Sequence, residues 1–381
     1  MSHTKFIALA ITMAAVPLAS CGAQTPVEST KENSLAFQIT EHGTFAEPWA
    51  AAFEPGTGIL FITEKEGTIK FYNPAAGTTG NVTGVPEVDY GGQGGLGDIA
   101  FAPDYADSKT IYLSWAEAGD GDTRGAAVGK GTLDCSAGTS CAITDLEVIW
   151  RQTPKVTGRG HYSHRIIFSL GGEYMFVASG DRQKMAPAQD LSKNLGTIVR
   201  LTLDGQPAPG NPFADEGGVT REIWSYGHRN ILGMQFDDQG RLWDLEHGPK
   251  GGDELNLVKQ GANYGWPVVS DGIHYDNAPI PDHSTSPEFA TPAIQWTPVI
   301  APGNFIFYSG DMFPQWRGDA LIAGLKSQAI IRVSIDGEIA TEVARYDMGE
   351  RIRQIVQGPD GAIWVLEDTE NGRLLRLTPA S

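Results

Sequence analysis

Positive charge is scarce in this chain. Lysine and arginine together number 28 against 46 aspartates and glutamates, a formal net charge of -18. No basic face is evident on which a phosphate backbone could rest, which excludes nucleic acid as an expected partner. Helical periodicity is also missing: no segment of convincing length repeats its apolar residues every 3.6 positions, so βαβ folds and helical bundles are disfavoured. Cysteine is rare, three in 381 residues, and no His/Cys set carries zinc-ligand spacing. Long apolar runs are confined to Phe6 through Leu18, too short to span a bilayer.

That one apolar run follows Lys5 and leads into Leu18-Ala19-Ser20-Cys21. Residues 1–20 read as a secretory signal, and small residues directly before a cysteine resemble a bacterial lipobox, so Cys21 would become the lipidated first residue of the mature chain. An ordinary signal peptide with an incidental cysteine is the alternative. Residues 21–34, rich in Pro, Ser, Thr and Glu, read as a flexible tether. The expected location is the periplasm or cell envelope, with membrane contact only through the anchor. In an exported chain Cys135 and Cys141 are expected to pair across a small Gly/Ser loop.

From residue 35 to 381 one pattern recurs: a short β-branched and aromatic run, a turn, and another run. Ile59 to Thr63 and Thr68 to Tyr72 read as a hairpin, with comparable units at Thr110 to Trp115, Tyr174 to Ala178, Leu242 to Leu245, Ala320 to Ile335 and Ile363 to Leu377. Asp204-Gly205, Asp336-Gly337 and Asp360-Gly361 supply turns that tolerate left-handed backbone. Forty-seven glycines, 23 prolines and nine tryptophans fit a turn-rich β protein. Six such units at the spacing of propeller blades predict an all-β single domain, a six-bladed β-propeller of four-stranded antiparallel sheets.

Residues able to do chemistry lie in the longer loops. Gly91 to Asp98 is glycine-dense but lacks the lysine and helix of a phosphate loop; its glycines allow close backbone approach to a flat ligand, and Gln93 is the side chain able to hydrogen-bond one. His161, in a loop before the strand at Ile166, is a candidate general base. Asp181 and Arg182 read as a local ion pair. The cations Arg229, Lys326, Arg351 and Arg353 cluster with polar and turn residues; Arg351 and Arg353 flank Ile352 and would share one face, and a pocket that gathers them would suit a small polyanion. Gly248 to Glu254 offers carbonyl and carboxylate oxygens of the kind calcium prefers.

Taken in order, Gly92-Gln93-Gly94-Gly95-Leu96-Gly97, His161-x-x-x-Arg165, Gly227-His228-Arg229-Asn230, Glu246-His247-Gly248-Pro249, Asp253-Glu254-Leu255-Asn256, Asn263-Tyr264-Gly265-Trp266-Pro267 and Arg351-Ile352-Arg353 resemble the soluble pyrroloquinoline quinone (PQQ)-dependent aldose sugar and glucose dehydrogenases. The resemblance implies a six-bladed propeller with PQQ on its top face. It implies that His161 removes the C1 hydroxyl proton of an aldose while hydride passes to C5 of the quinone, and that Arg229 stabilises charge at the C5 oxygen. Gln93, Arg229, Asn230, Lys326, Arg351 and Arg353 become cofactor contacts, Gly248 and Pro249 carbonyl ligands of a PQQ-bound Ca²⁺, and Glu254 and Tyr264 part of a second calcium site. An external electron acceptor and a homodimer are further expectations of the likeness. Two departures stand out: Gly160 precedes the base where the best-known glucose-oxidising members have an acid, and Ser163-His164 places an extra imidazole near the site. A calcium-dependent propeller lactonase or esterase, and a non-catalytic sugar-binding envelope propeller, are the competing functions.

Overall fold

The computed structural model describes Met1 and residues 36–380. The signal peptide, Cys21 and the tether lie outside the described residues. Nearly everything described is strand or turn. Four separate four-stranded antiparallel sheets are present, together with one eight-stranded sheet and a two-stranded ribbon. The eight-stranded sheet is two antiparallel meanders, Pro48 to Thr83 and Leu96 to Arg151, joined by a short parallel contact of Asn81, Val82 and Thr83 with Ser140, Cys141 and Ala142. Cys135 and Cys141 form the expected disulfide beside this join.

Each meander opens with a strand that turns inward: Pro48–Phe53, Leu96–Phe101, Ser163–Phe168, Ile231–Phe236, Pro302–Phe307 and Ile352–Gln357. Each of these packs against the next, and Ile352–Gln357 returns to Pro48–Phe53, so the ring closes. The chain's own ends seal one sheet, because Phe37–Phe45 pairs antiparallel with Gly372–Pro379. Apolar residues fill the space between neighbouring sheets; Trp243, Phe305, Ile322 and Ile331 form one such cluster. The expected Asp-Gly turns are in place, with Gly205, Gly337 and Gly361 at φ of 77°, 61° and 83°.

The inner strands share a feature that the sequence repeat does not advertise. All six carry a register break in their first residues, leaving Trp49, Gly97, His164, Leu232, Gly303 and Arg353 within bulges. A bulge bends its strand and re-aims a side chain. Trp49, Leu232 and Arg353 thereby reach a cavity at one end of the ring.

The centre of the ring is polar. Arg165, buried, donates from Nη1 to Asp98 Oδ1 (3.2 Å), from Nε to the Leu232 carbonyl (2.7 Å) and from Nη2 to Gln354 Oε1 (2.9 Å). Its guanidinium lies 4.0 Å from the Trp49 ring centroid. One side chain thus ties its own inner strand to four others. His164 does not reach the cavity. It is buried against Trp49, with ring centroids 4.8 Å apart, and its Nδ1 is 2.9 Å from Ser114 Oγ. Burial pushes its pKa down to about 3, so it packs as a neutral ring. Gly97 makes room, since a Cβ there would lie 1.9 Å from His164 Cε1.

Candidate active site

A cavity of about 400 Å³ opens at the end of the ring where the bulges lie. Gln93, Asn230, Arg351 and Arg353 line it, so the structure brings together four of the expected cofactor contacts. Lys326 is exposed one residue beyond Leu325, which lines the cavity. His161 and Arg229 stand next to this lining. The His161 N–H donates to Gln93 Oε1 (2.7 Å), which leaves the Gln93 amide nitrogen for a ligand.

His161 is the best-prepared base. It lies at φ 50°, followed by Ser163 at 60° and His164 at 51°. This left-handed run folds the loop back over the Gly180 strand end, where a Cβ on Gly180 would meet the His161 carbonyl at 2.1 Å. His161 Nδ1 is 2.7 Å from Asp181 Oδ1. Asp181 is fully buried and also accepts from Trp266 Nε1 (2.8 Å) and the Gln183 N–H (2.8 Å). An aspartate on Nδ1 fixes the tautomer and leaves the Nε2 lone pair for a proton. Burial lowers the His161 pKa below its usual value, the Asp181 hydrogen bond opposes this, and the Arg229 charge reinforces it.

The expected Asp181–Arg182 ion pair does not form. Arg182 is buried with its guanidinium 3.7 Å from the Tyr162 ring centroid and spends its donors on the Gly160, Arg124 and Gly158 carbonyls. It shapes the loop that carries His161, while Asp181 serves the histidine. Asp181→Asn is expected to lower kcat by roughly 10²-fold with KM little changed, and to move the acidic limb of the pH profile downward, because the partner that raises the His161 pKa is lost. A merely structural role would leave the pH profile in place.

Arg229 donates its backbone N–H to Glu246 Oε2 (2.6 Å) and its Nη1 to the His247 carbonyl (3.0 Å), with Trp266 5.2 Å from its guanidinium. Its Nε is buried without a partner among the described residues, a donor held ready for an acceptor outside the chain. Asn230 lies beside it and accepts from Ser163 Oγ (3.3 Å). Arg351 and Arg353 share one face as expected, though a bulge at Arg353 aims it. Both bind Asp368, Arg351 Nε at 2.9 Å and Arg353 Nε at 2.7 Å. Burial would raise the Asp368 carboxyl, yet the two arginines hold it below the usual range. Two guanidiniums against the one Asp368 carboxylate leave a local positive excess at this corner of the cavity, suited to a ligand carboxylate.

The four residues expected at metal sites line one small void of about 10 Å³, room for about one water-sized occupant. Gly248 and Pro249 are buried, and their carbonyls accept no hydrogen bond from the described residues. Asp253 pins this turn, accepting the Gly248 N–H (2.9 Å) and the Ala301 N–H (2.6 Å). Carbonyls without a donor among the described residues, on two residues that line a void of this size, fit a calcium ion. The Glu254 and Tyr264 side fits one less well. The Tyr264 hydroxyl is committed to the Leu257 carbonyl (2.7 Å), and the Tyr264 carbonyl accepts from His283 Nε2 (3.1 Å).

Sequence reasoning missed Asp181 as the orienting acid, Asp368 as the arginine partner, and Trp266 as the ring between Asp181 and Arg229. Only Trp266 had a signal, its place in the Asn-Tyr-Gly-Trp-Pro run. His228 and His247, which stood out in the motifs, are spent on structure: His228 Nδ1 is 3.0 Å from Glu246 Oε1 and His247 Nε2 2.6 Å from the Pro302 carbonyl.

The fold is a propeller-like β scaffold with a buried histidine–aspartate pair beside a cavity that Arg351 and Arg353 help line, an arrangement able to take a proton from a small polar molecule. The chain belongs to the Glucose / Sorbosone dehydrogenase family, which matches residues 45–376. It is 40% identical to the aldose sugar dehydrogenase YliI of Escherichia coli over 87% of this chain and 90% of that protein. The crystal structure of the soluble aldose sugar dehydrogenase from Escherichia coli in its apo-form superposes with a TM-score of 0.84 at 38% identity, covering 90% of this chain and 100% of that one. A PQQ-bound aldose sugar dehydrogenase from Streptomyces coelicolor superposes with a TM-score of 0.75 at 26% identity, covering 90% and 98%. With sugar dehydrogenases as its relatives, this chain is an oxidoreductase.

Proposed function

We propose that the chain is a PQQ- and calcium-dependent aldose sugar dehydrogenase, built on a six-bladed β-propeller and oxidising the C1 hydroxyl of an aldose to the lactone. The observation that carries this reading is the His161–Asp181 pair, set beside a cavity lined by Arg351 and Arg353, with Arg229, whose Nε has no partner among the described residues, next to that lining. The closed ring of six inner strands supports the blade count. When bound, PQQ would supply the two-electron acceptor for the hydride leaving C1, and its three carboxylates would give Arg351 and Arg353 a purpose. His161 takes the hydroxyl proton at Nε2, and Asp181 steadies the imidazolium that results. Arg351, Arg353, Lys326, Gln93 and Asn230 hold the ligand, Arg229 donates to an oxygen that gains charge, and the Gly248 and Pro249 carbonyls hold the calcium. Export as a lipoprotein through Cys21, transfer of electrons to an external acceptor and assembly as a homodimer complete the proposal.

A hydrolase would need several free carboxylates around one ion in the cavity, whereas of the three on its wall Glu47 is engaged by Lys65 and Asp368 by Arg351 and Arg353, which leaves Glu370. A passive sugar binder would not need a buried aspartate holding a histidine beside the cavity, as Asp181 holds His161. Reconstitution of purified protein with PQQ and Ca²⁺, followed by dye reduction with an aldose, tests the proposal; sugar-independent behaviour throughout would sink it. Arg353→Ala is expected to weaken PQQ binding by roughly 10- to 100-fold, the loss of one charge-assisted contact, read by titrating the quinone absorbance.

A further inference from the structure

The turn from Asp181 to Met185 closes on the Asp181 carboxylate, which accepts the Gln183 N–H at Oδ1 (2.8 Å) and the Met185 N–H at Oδ2 (3.3 Å). The same Oδ1 is the partner of His161 Nδ1 (2.7 Å), and the Arg182 N–H donates to the His161 carbonyl (3.2 Å). Gln183 and the base are thus fixed to each other through one shared oxygen and one backbone bond. Arg182, Gln183 and Met185 lie at φ of 55°, 59° and 59°, three left-handed residues in one turn and none of them glycine. Such backbone persists only where its surroundings over-determine it, and it gathers at functional sites.

The Gln183 side chain lies against Gly160, the residue before the base. A Cβ on Gly160 would sit 2.5 Å from Gln183 Cδ and Oε1 and 2.8 Å from Nε2, so the glycine leaves room for the amide. Gly160 is buried and Gln183 exposed, which puts the amide on the open side of the loop. Gln183 bonds through its backbone; its Oε1 and Nε2 have no hydrogen-bond partner among the described residues. A primary amide both donates and accepts, and so does a sugar hydroxyl. With Gln93, Asn230, Arg351 and Arg353 given to the cofactor, the other hydroxyls of an aldose need partners elsewhere. This amide is free, and it stands one residue from the base.

We propose that Gln183 is a specificity-determining residue for the sugar, its side-chain amide binding an aldose hydroxyl other than the one at C1 while His161 takes the C1 proton. This deepens the dehydrogenase reading and rests on it. Gly160 supplies an independent handle. Its backbone lies outside the left-handed region, so alanine fits there, and the added methyl group would push the amide aside without altering Gln183 itself.

The holoenzyme reconstituted with PQQ and Ca²⁺ is assayed with D-glucose, D-galactose and D-xylose, then with the monodeoxy analogues of the best of the three. Gln183→Ala is expected to raise KM for that sugar by about 3- to 10-fold, the worth of one neutral hydrogen bond, with kcat little changed. KM for one monodeoxy analogue should not move, because that sugar lacks the hydroxyl the amide would hold. Gly160→Ala should give the same pattern. The Kd of the parent sugar for holoenzyme held reduced, which cannot turn it over, should rise by the same factor, and the acidic limb of the pH profile should stay in place. An unchanged KM and Kd, an equal rise for every analogue, or a fall in kcat with a displaced limb each overturns the proposal while leaving the dehydrogenase reading intact. Absence of turnover with all three sugars in the unaltered protein overturns both.

Discussion

His161→Ala is expected to lower kcat for aldose oxidation by about 10²- to 10⁴-fold, the usual contribution of a positioned general base. Quinone affinity should change little, because the cation wall of Arg351 and Arg353 is separate from the imidazole. The pH profile of the unaltered protein carries the same information. The base must be neutral to accept the hydroxyl proton, and burial holds the His161 pKa below its ordinary 6.5. Activity should therefore rise with pH through a limb lying below 6.5 and stay level across neutrality. In His161→Ala that limb should vanish along with the rate, as measured by steady-state dye reduction from pH 4.5 to 8. A limb that persists unchanged would assign the base elsewhere.

Arg165→Ala is expected to destabilise the fold by about 3–5 kcal/mol, since it strands Asp98 as a buried, unpaired carboxylate. Burial pushes the Asp98 carboxyl up and the Arg165 guanidinium down to about 10, so each group tolerates the ring's centre only because of the other. The same substitution releases the Leu232 carbonyl and Gln354. The thermal midpoint should fall by roughly 5–10 °C for a chain of this size. Removing both charges together, as Arg165→Met with Asp98→Asn, should cost less than the sum of the single changes, and a double-mutant cycle by chemical denaturation measures the difference. Strict additivity would show that the two side chains act independently.

Much of the fold was legible locally. Short β-branched runs, Asp-Gly turns and the absence of helical periodicity are nearest-neighbour properties, and they correctly announced antiparallel meanders and the Cys135–Cys141 pairing. Motif order likewise pointed to His161, Gln93, Asn230, Arg351 and Arg353, because loops that touch a ligand keep chemically distinctive residues. Asp181 was misread as a partner for its neighbour Arg182. A sequence offers adjacency, while the left-handed backbone at Arg182 and Gln183 sends the two side chains to different places.

The sequence by itself determined the class of fold, the acidic surface and the short set of residues able to do chemistry. Tertiary structure alone decided which of them meet: that His161 is oriented by Asp181 and Trp266, that His164 turns into the packing beside Trp49, and that His283 reaches the Tyr264 carbonyl. The physical reason is the ring itself. Each inner strand is bulged, so the direction of a side chain depends on a local register break, and its partners come from blades separated by many residues of chain. Distances of that kind leave no trace in spacing, and charge states that depend on them, such as those of Asp98 and Arg165, follow only once the ring has closed.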